Sequence, residues 1–119
     1  MVEKLDDVPD VEIDTGRFKY ILVKVFPKRH QESHKYIVRG NRNAAYHGDI
    51  LDDVEPQVSK LKLECDCVGG GRIIHDPEAK RLEVFGYSQG YGKADHAVTC
   101  EILKKKYPAY HITWSDCGY

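Results

Sequence analysis

The stretch Phe18-Lys19-Tyr20-Ile21-Leu22-Val23-Lys24-Val25 decides the fold. It is rich in β-branched and aromatic residues, and strand alternation puts Ile21, Val23 and Val25 on one face and Phe18, Tyr20 and Leu22 on the other. Both faces are largely apolar, so the segment reads as an inner strand of a sheet.

Outward from that strand, residues 27 to 34 form a polar loop, and Lys35 to Arg39 is a short strand ending at Gly40. From about His47 the pattern turns helical, because Ile50, Leu51, Val54, Val58 and Leu61 recur at spacings of three and four. Pro56 falls inside this pattern. A proline removes a hydrogen bond and clashes with the preceding turn, which predicts a kink or two short helices. Arg72 to His75 and Arg81 to Tyr87 read as a hairpin joined by the turn Asp76-Pro77-Glu78-Ala79. A second helix is predicted from Lys93 or Asp95 to Tyr107, stopped by Pro108, with a last strand from Tyr110 to Trp114. The order β-β-α-β-β-α-β predicts an α/β (α+β) fold, a mixed sheet of about five to six strands packed with two main helices.

A chain of 119 residues is expected to form one domain over 1–119, with an acidic arm of about residues 1–14. Hydrophobic residues at 41% and charged residues at 31% exclude the disordered and collagenous classes. Apolar runs such as Ile21 to Val23 fall far short of the roughly 20 residues that span a bilayer. The opening Met-Val-Glu-Lys-Leu-Asp-Asp lacks the basic and apolar regions of a secretory signal, so a cytoplasmic protein is expected. On that expectation Cys65, Cys67, Cys100 and Cys117 are free thiols. One residue separates Cys65 from Cys67, unlike the usual zinc-ligand pairs, and the remaining histidines His30, His34, His75, His96 and His111 show no ligand spacing, so no metal site is expected. They read as surface or core histidines.

The net charge of -1 conceals segregation: residues 17 to 43 carry eight Lys or Arg against Glu32, and residues 1 to 14 carry six acids and one Lys. Anionic ligands are favoured near the basic part. A nucleic-acid binder is usually more basic overall, with aromatics interleaved among its charges.

Several phosphate and hydrolase signatures come close. A Walker loop fails because five residues separate Gly86 from Gly92 and Ala94 follows Lys93. A cysteine phosphatase needs five residues between its thiolate and an arginine, whereas Cys65 and Cys67 leave six and four before Arg72. Gly86-Tyr87-Ser88-Gln89-Gly90 does match a nucleophile elbow, but its usual context is a much larger α/β-hydrolase with a downstream acid and histidine.

Tyr46-His47-Gly48-Asp49-Ile50 is more informative, since it sets an imidazole at the predicted start of a helix. Unpaired amides there favour an anion, while the positive end of the dipole disfavours a protonated ring. Such a histidine can attack phosphorus or take a proton from water, or it can simply cap or pack. The run Gly86-Tyr87-Ser88-Gln89-Gly90-Tyr91-Gly92 reads either as a phosphate cradle, with Ser88 donating to an oxygen, or as a turn with packed tyrosines. Gly69-Gly70-Gly71-Arg72 carries the same two readings, with Arg72 able to grip phosphate. Lys104-Lys105-Lys106 complements the dipole of the second helix.

Six ordered segments together resemble the phosphohistidine phosphatase, or Janus/Ocnus, family: Phe18-Lys19-Tyr20, Ile37-Val38-Arg39-Gly40, Tyr46-His47-Gly48-Asp49-Ile50, Gly69-Gly70-Gly71-Arg72-Ile73, Gly86 to Gly92, and Lys106-Tyr107-Pro108 to Gly118-Tyr119. The resemblance covers almost the whole chain. It implies a mixed sheet between helices and a metal-independent, cofactor-free hydrolase that removes phosphate from phosphohistidine in partner proteins. It further implies a monomer without nucleic-acid or membrane partners. His47 is then the catalytic residue; Lys19, Arg39 and Arg72 line the phosphate site; Ser88 and the Gly90 region help bind phosphate. The phosphoryl oxygens would rest on the His47 and Gly48 amides. Two departures stand out: Gly48 occupies a position where the family usually has alanine, which loosens the helix start by up to about 1 kcal/mol, and Pro56 interrupts the family's first helix. The same pocket would also serve a non-catalytic module that binds phosphorylated partners, and residues 17 to 43 a nucleic-acid binder.

Overall fold

The computed structural model describes residues 5–29 and 32–116, so His30, Cys117 and the Gly118-Tyr119 pair lie outside the described residues. The apolar stretch at Phe18 lies in a strand, β2 (Gly16–Pro27), that is paired along both edges. Its neighbours are β3 (Lys35–Asn41) and β4 (Leu63–Asp76), both antiparallel to it. β5 (Arg81–Phe85) runs antiparallel to β4, and β6 (His111–Trp114) parallel to β5. On the other side, β1 (Val11–Glu12) lies parallel to β3. The result is a six-stranded mixed sheet in the order β1-β3-β2-β4-β5-β6. Among the described residues, two main helices pack on the sheet to complete the α+β fold: α1 (His47–Ser59) and α2 (His96–Lys106).

The alternation in β2 explains why the helices take opposite faces. Ile21, Val23 and Val25 join Ile37 and pack with Ile50, Val54 and Val58 of α1. Phe18, Tyr20 and Leu22 join Val38, Ile73, Leu82 and Val84 and pack with Cys100 and Leu103 of α2. Each such aliphatic side chain, fully buried, stabilises the fold by roughly 1.5–3 kcal/mol relative to exposure. None of the helices formed by the described residues is long and apolar enough to cross a membrane.

Three expectations change. Helix α1 runs unbroken through Pro56 to Ser59. The carbonyl that loses its partner belongs to Asp52, and both Asp52 and Pro56 are exposed, so water can satisfy it while Val54 and Val58 stay on the sheet. The strand expected at Arg72 to His75 is the end of a much longer one, because β4 begins at Leu63 and carries the glycine run in its middle. The acidic arm is anchored along its described part: Leu5, Val8 and Val11 are buried, and Val11–Glu12 forms the edge strand β1. Asp95 caps α2, its carboxylate accepting hydrogen bonds from the amides of Ala97 and Val98.

Candidate functional site

His47 is the first residue of α1 and is 9% exposed. The helix begins there because the Asp49 carboxylate reaches back and accepts the Tyr46 N–H at 2.9 Å, placing an acid in the first turn where the dipole favours it. The His47 ring leans on the sheet and its Nε2 lies 3.0 Å from the Gly71 carbonyl. A carbonyl only accepts, so Nε2 carries the proton and Nδ1 of the neutral ring keeps a lone pair. Nδ1 has no hydrogen-bond partner among the described residues. Burial holds the imidazole pKa below its ordinary value; the Gly71 bond opposes this, and the charges of Lys19 and Arg72 reinforce it.

The ring fits because residue 70 is glycine. A Cβ there would stand 2.7 Å from His47 Cδ2, 2.9 Å from the Tyr20 carbonyl oxygen and 3.1 Å from Ser88 Cβ. Gly70 therefore lets the histidine and the serine approach the strand together.

Ser88 belongs to a tight loop after β5. The Ser88 and Gly92 backbones exchange two hydrogen bonds, of 3.0 and 2.8 Å, and Gly70 N–H donates to the Gly92 carbonyl at 3.0 Å, fastening the loop to β4. Gly86 and Gly92 turn the chain with φ of 78° and 84°, in the left-handed region that favours glycine. The Tyr91 N–H donates to Ser88 Oγ at 3.2 Å, which leaves the hydroxyl proton for another acceptor. The amides of Gln89 and Gly90 make no hydrogen bond within the described residues. A Cβ on Gly90 would meet nothing within 4 Å.

These parts surround one cleft of about 590 Å³, lined by Lys19, Ala45, Tyr46, His47, Gly48 and the loop from Tyr87 to Tyr91. Of the residues singled out in the sequence, the structure brings Lys19, His47, Gly48, Ser88 and Gly90 to it. Arg72 stands opposite Lys19 across the β2–β4 ladder, and its charge is felt at His47. Arg39 is not brought there. It lies under α1 beside a different depression, bordered by Glu12, Asp53 and Gln57, and is 3% exposed. Its guanidinium donates to the carbonyls of Val38 (3.0 Å) and Pro9 (2.8 Å) and pairs with Glu12 (3.3 Å), tying the N-terminal arm to the sheet.

Cys65, Cys67 and Cys100 are free and sit outside the cleft lining. Burial pushes the thiols of Cys65 and Cys100 up to about 11 and raises that of Cys67, so all three stay protonated at neutral pH. Among the described residues no group of three or more His, Cys, Asp or Glu could hold a metal ion.

His96, read from the sequence only as a surface or core histidine, lies in the core at 2% exposure and opens α2 as His47 opens α1. Its Nε2 donates to the Gly86 carbonyl at 2.9 Å, and its Nδ1 accepts from the Tyr20 hydroxyl at 2.6 Å. Tyr20 in turn lies 3.0 Å from Thr99 Oγ1. Both nitrogens of His96 are taken, so the ring holds the hinge of the Ser88 loop. The shared placement at a helix start was a signal available in the sequence.

A sheet that seats a neutral imidazole at a helix N-terminus, beside a glycine-hinged loop with unused amides, defines an α+β protein built around a histidine-centred anion site. The chain belongs to the Janus/Ocnus family, whose sequence model matches residues 5–111. It is 45% identical over 120 residues to the 14 kDa phosphohistidine phosphatase of Sus scrofa, covering 97% of this chain and 95% of that one. Similarity to the Homo sapiens protein of the same name is 44% over 117 residues, covering 94% of each. Similarity to the sex-regulated protein janus-A of Drosophila yakuba is 50% over 118 residues, covering 98% of this chain and 86% of that one.

Proposed function

We propose that this protein is a phosphohistidine phosphatase, a hydrolase that cleaves the P–N bond of phosphohistidine in other proteins. The observation that carries the reading is the His47 ring, fixed through Nε2 on the Gly71 carbonyl so that a basic Nδ1 remains in the cleft shared with Ser88 and Lys19. The names of the relatives support it. The phosphoryl oxygens rest on the amides of His47, Gly48 and Gly90 and on the Ser88 hydroxyl, with Lys19 and Arg72 supplying positive charge.

His47 then acts in one of two balanced ways. As general base, Nδ1 takes a proton from water while the water oxygen bonds to phosphorus and the P–N bond breaks, the substrate imidazole leaving neutral with the proton its other ring nitrogen already carried. As nucleophile, Nδ1 bonds to phosphorus as the substrate P–N bond breaks, the substrate imidazole leaves neutral with the proton its other ring nitrogen already carried, and water then attacks phosphorus, breaking the bond to Nδ1 and releasing phosphate. Either route is complete with these side chains and needs no cofactor, and the protein works as a monomer in the cytoplasm.

Replacing His47 with Ala is expected to abolish turnover of a phosphohistidine peptide with the fold retained by circular dichroism; full activity in the folded variant sinks the assignment. Rapid-quench labelling separates the routes, since labelled phosphate trapped on His47 means direct attack and its absence during turnover means attack by water.

A further inference from the structure

Among the described residues five large apolar or aromatic side chains are exposed, and three of them, Tyr46 (74%), Tyr87 (41%) and Tyr91 (39%), line the cleft. A phosphoryl group does not need this aromatic rim. The charges around it are divided. Lys19, with Arg72 across the ladder, stands on the sheet side. On the helix side the Tyr91 hydroxyl lies 3.5 Å from where a Cβ on Gly48 would stand, over the first turn of α1. Asp52 and Glu55 follow Gly48 by four and seven residues, so the three share one helical face running away from Tyr91.

Both carboxylates are exposed and neither makes an ion pair with a described residue. Of their neighbours on the helix, Asp49 accepts from the Tyr46 amide and Asp53 borders the depression beside Arg39. From His47 to Ser59 the helix has no Lys or Arg. The Tyr91 phenol pKa is raised by desolvation, with Cys67, Asp52 and Glu55 adding to it, which agrees with that proximity.

Carboxylates at this position repel a phosphoryl group, whereas carboxylates beside tyrosine faces attract an ammonium or guanidinium. We propose that Tyr91, Asp52 and Glu55 dock a lysine or arginine adjacent to the phosphohistidine in the substrate chain, so that the enzyme selects phosphohistidine in a basic context. This rests on the phosphatase reading above. The sheet side takes the phosphoryl group and the helix side takes the neighbouring cation.

The test compares two phosphohistidine peptides of equal length, one flanked by Lys and Arg and one by Asp and Glu, with inorganic phosphoramidate as a probe that has no flanks. For the native protein kcat/KM is expected to favour the basic peptide by roughly fivefold to tenfold, and the ratio should shrink with added salt. In the double variant Asp52→Asn, Glu55→Gln, checked for folding by its unfolding midpoint, the ratio should fall toward one. Equal kcat/KM for the two peptides, or an unchanged ratio in the variant, overturns the docking proposal while leaving the phosphatase reading intact. Absence of turnover of both peptides and of phosphoramidate overturns the phosphatase reading, and this proposal with it.

Discussion

Lys19 and Arg72 face the side of the sheet that α1 covers, and their charges add to burial in making a proton on His47 costly. The lowered pKa means the ring is neutral at physiological pH and titrates below the ordinary imidazole value of about 6.5. The acid limb of kcat/KM should therefore fall below that value. Removing the positive charge in Lys19→Gln should shift the limb upward, toward the ordinary value, as a pH–rate profile would reveal; a limb that stays in place would remove Lys19 from the electrostatics of the ring. Two neighbouring glycines of the site should respond in opposite directions to alanine. At Gly48 an added Cβ meets only the Tyr91 hydroxyl, at 3.5 Å, so Gly48→Ala should stabilise α1 by up to about 1 kcal/mol and raise Tm by roughly 3–6 °C. At Gly70 the same Cβ collides with His47, Tyr20 and Ser88, and Gly70→Ala should lower kcat by about a hundredfold or more.

At the scale of elements, β4 shows why a glycine run in a single sequence misleads. Gly69-Gly70-Gly71 reads as a turn or a cradle, yet it lies in the interior of a strand where other residues press against the backbone, among them Ala94 at Gly69, His47 at Gly70, and Phe85 with His96 at Gly71. Nothing local encodes those neighbours, because they come from α1, α2, β5 and the segment between the Ser88 loop and α2. The apolar periodicities of β2 and α1, by contrast, are local, and they placed the inner strand and the helix face correctly. That Lys19, His47, Gly48, Ser88 and Gly90 belong together at one cleft was legible through motifs. Arg39 was not, since a motif states which residue is present and not whose carbonyls its guanidinium will meet. With Arg39 engaged by Pro9, Val38 and Glu12, Arg39→Ala should destabilise the protein by about 2–3 kcal/mol in denaturant unfolding. KM for phosphoramidate should change little.

For the whole molecule, two of the buried histidines, His47 and His96, couple stability to pH. His47 and His96 both have pKa values lowered chiefly by burial, so the unfolded chain binds protons that the folded chain refuses. Stability is then complete above the unfolded value of about 6.5 and declines as pH falls below it. Denaturant midpoints taken from about pH 7 down to about pH 5 should drop progressively, and replacing His96 with Gln should flatten the fall; a midpoint that is level over this range would contradict the buried neutral state of both rings.

Tyr20 has a role on each side of the sheet. Its carbonyl oxygen borders the space left at Gly70 for His47, and its hydroxyl holds His96, which in turn holds the hinge of the Ser88 loop. The floor beneath the reactive ring and the support of the opposing loop are thus drawn from a single residue. Such a layout has little redundancy: an error in the seating of this one tyrosine is transmitted to both walls of the cleft at once, and neither wall can be re-engineered without the other feeling it.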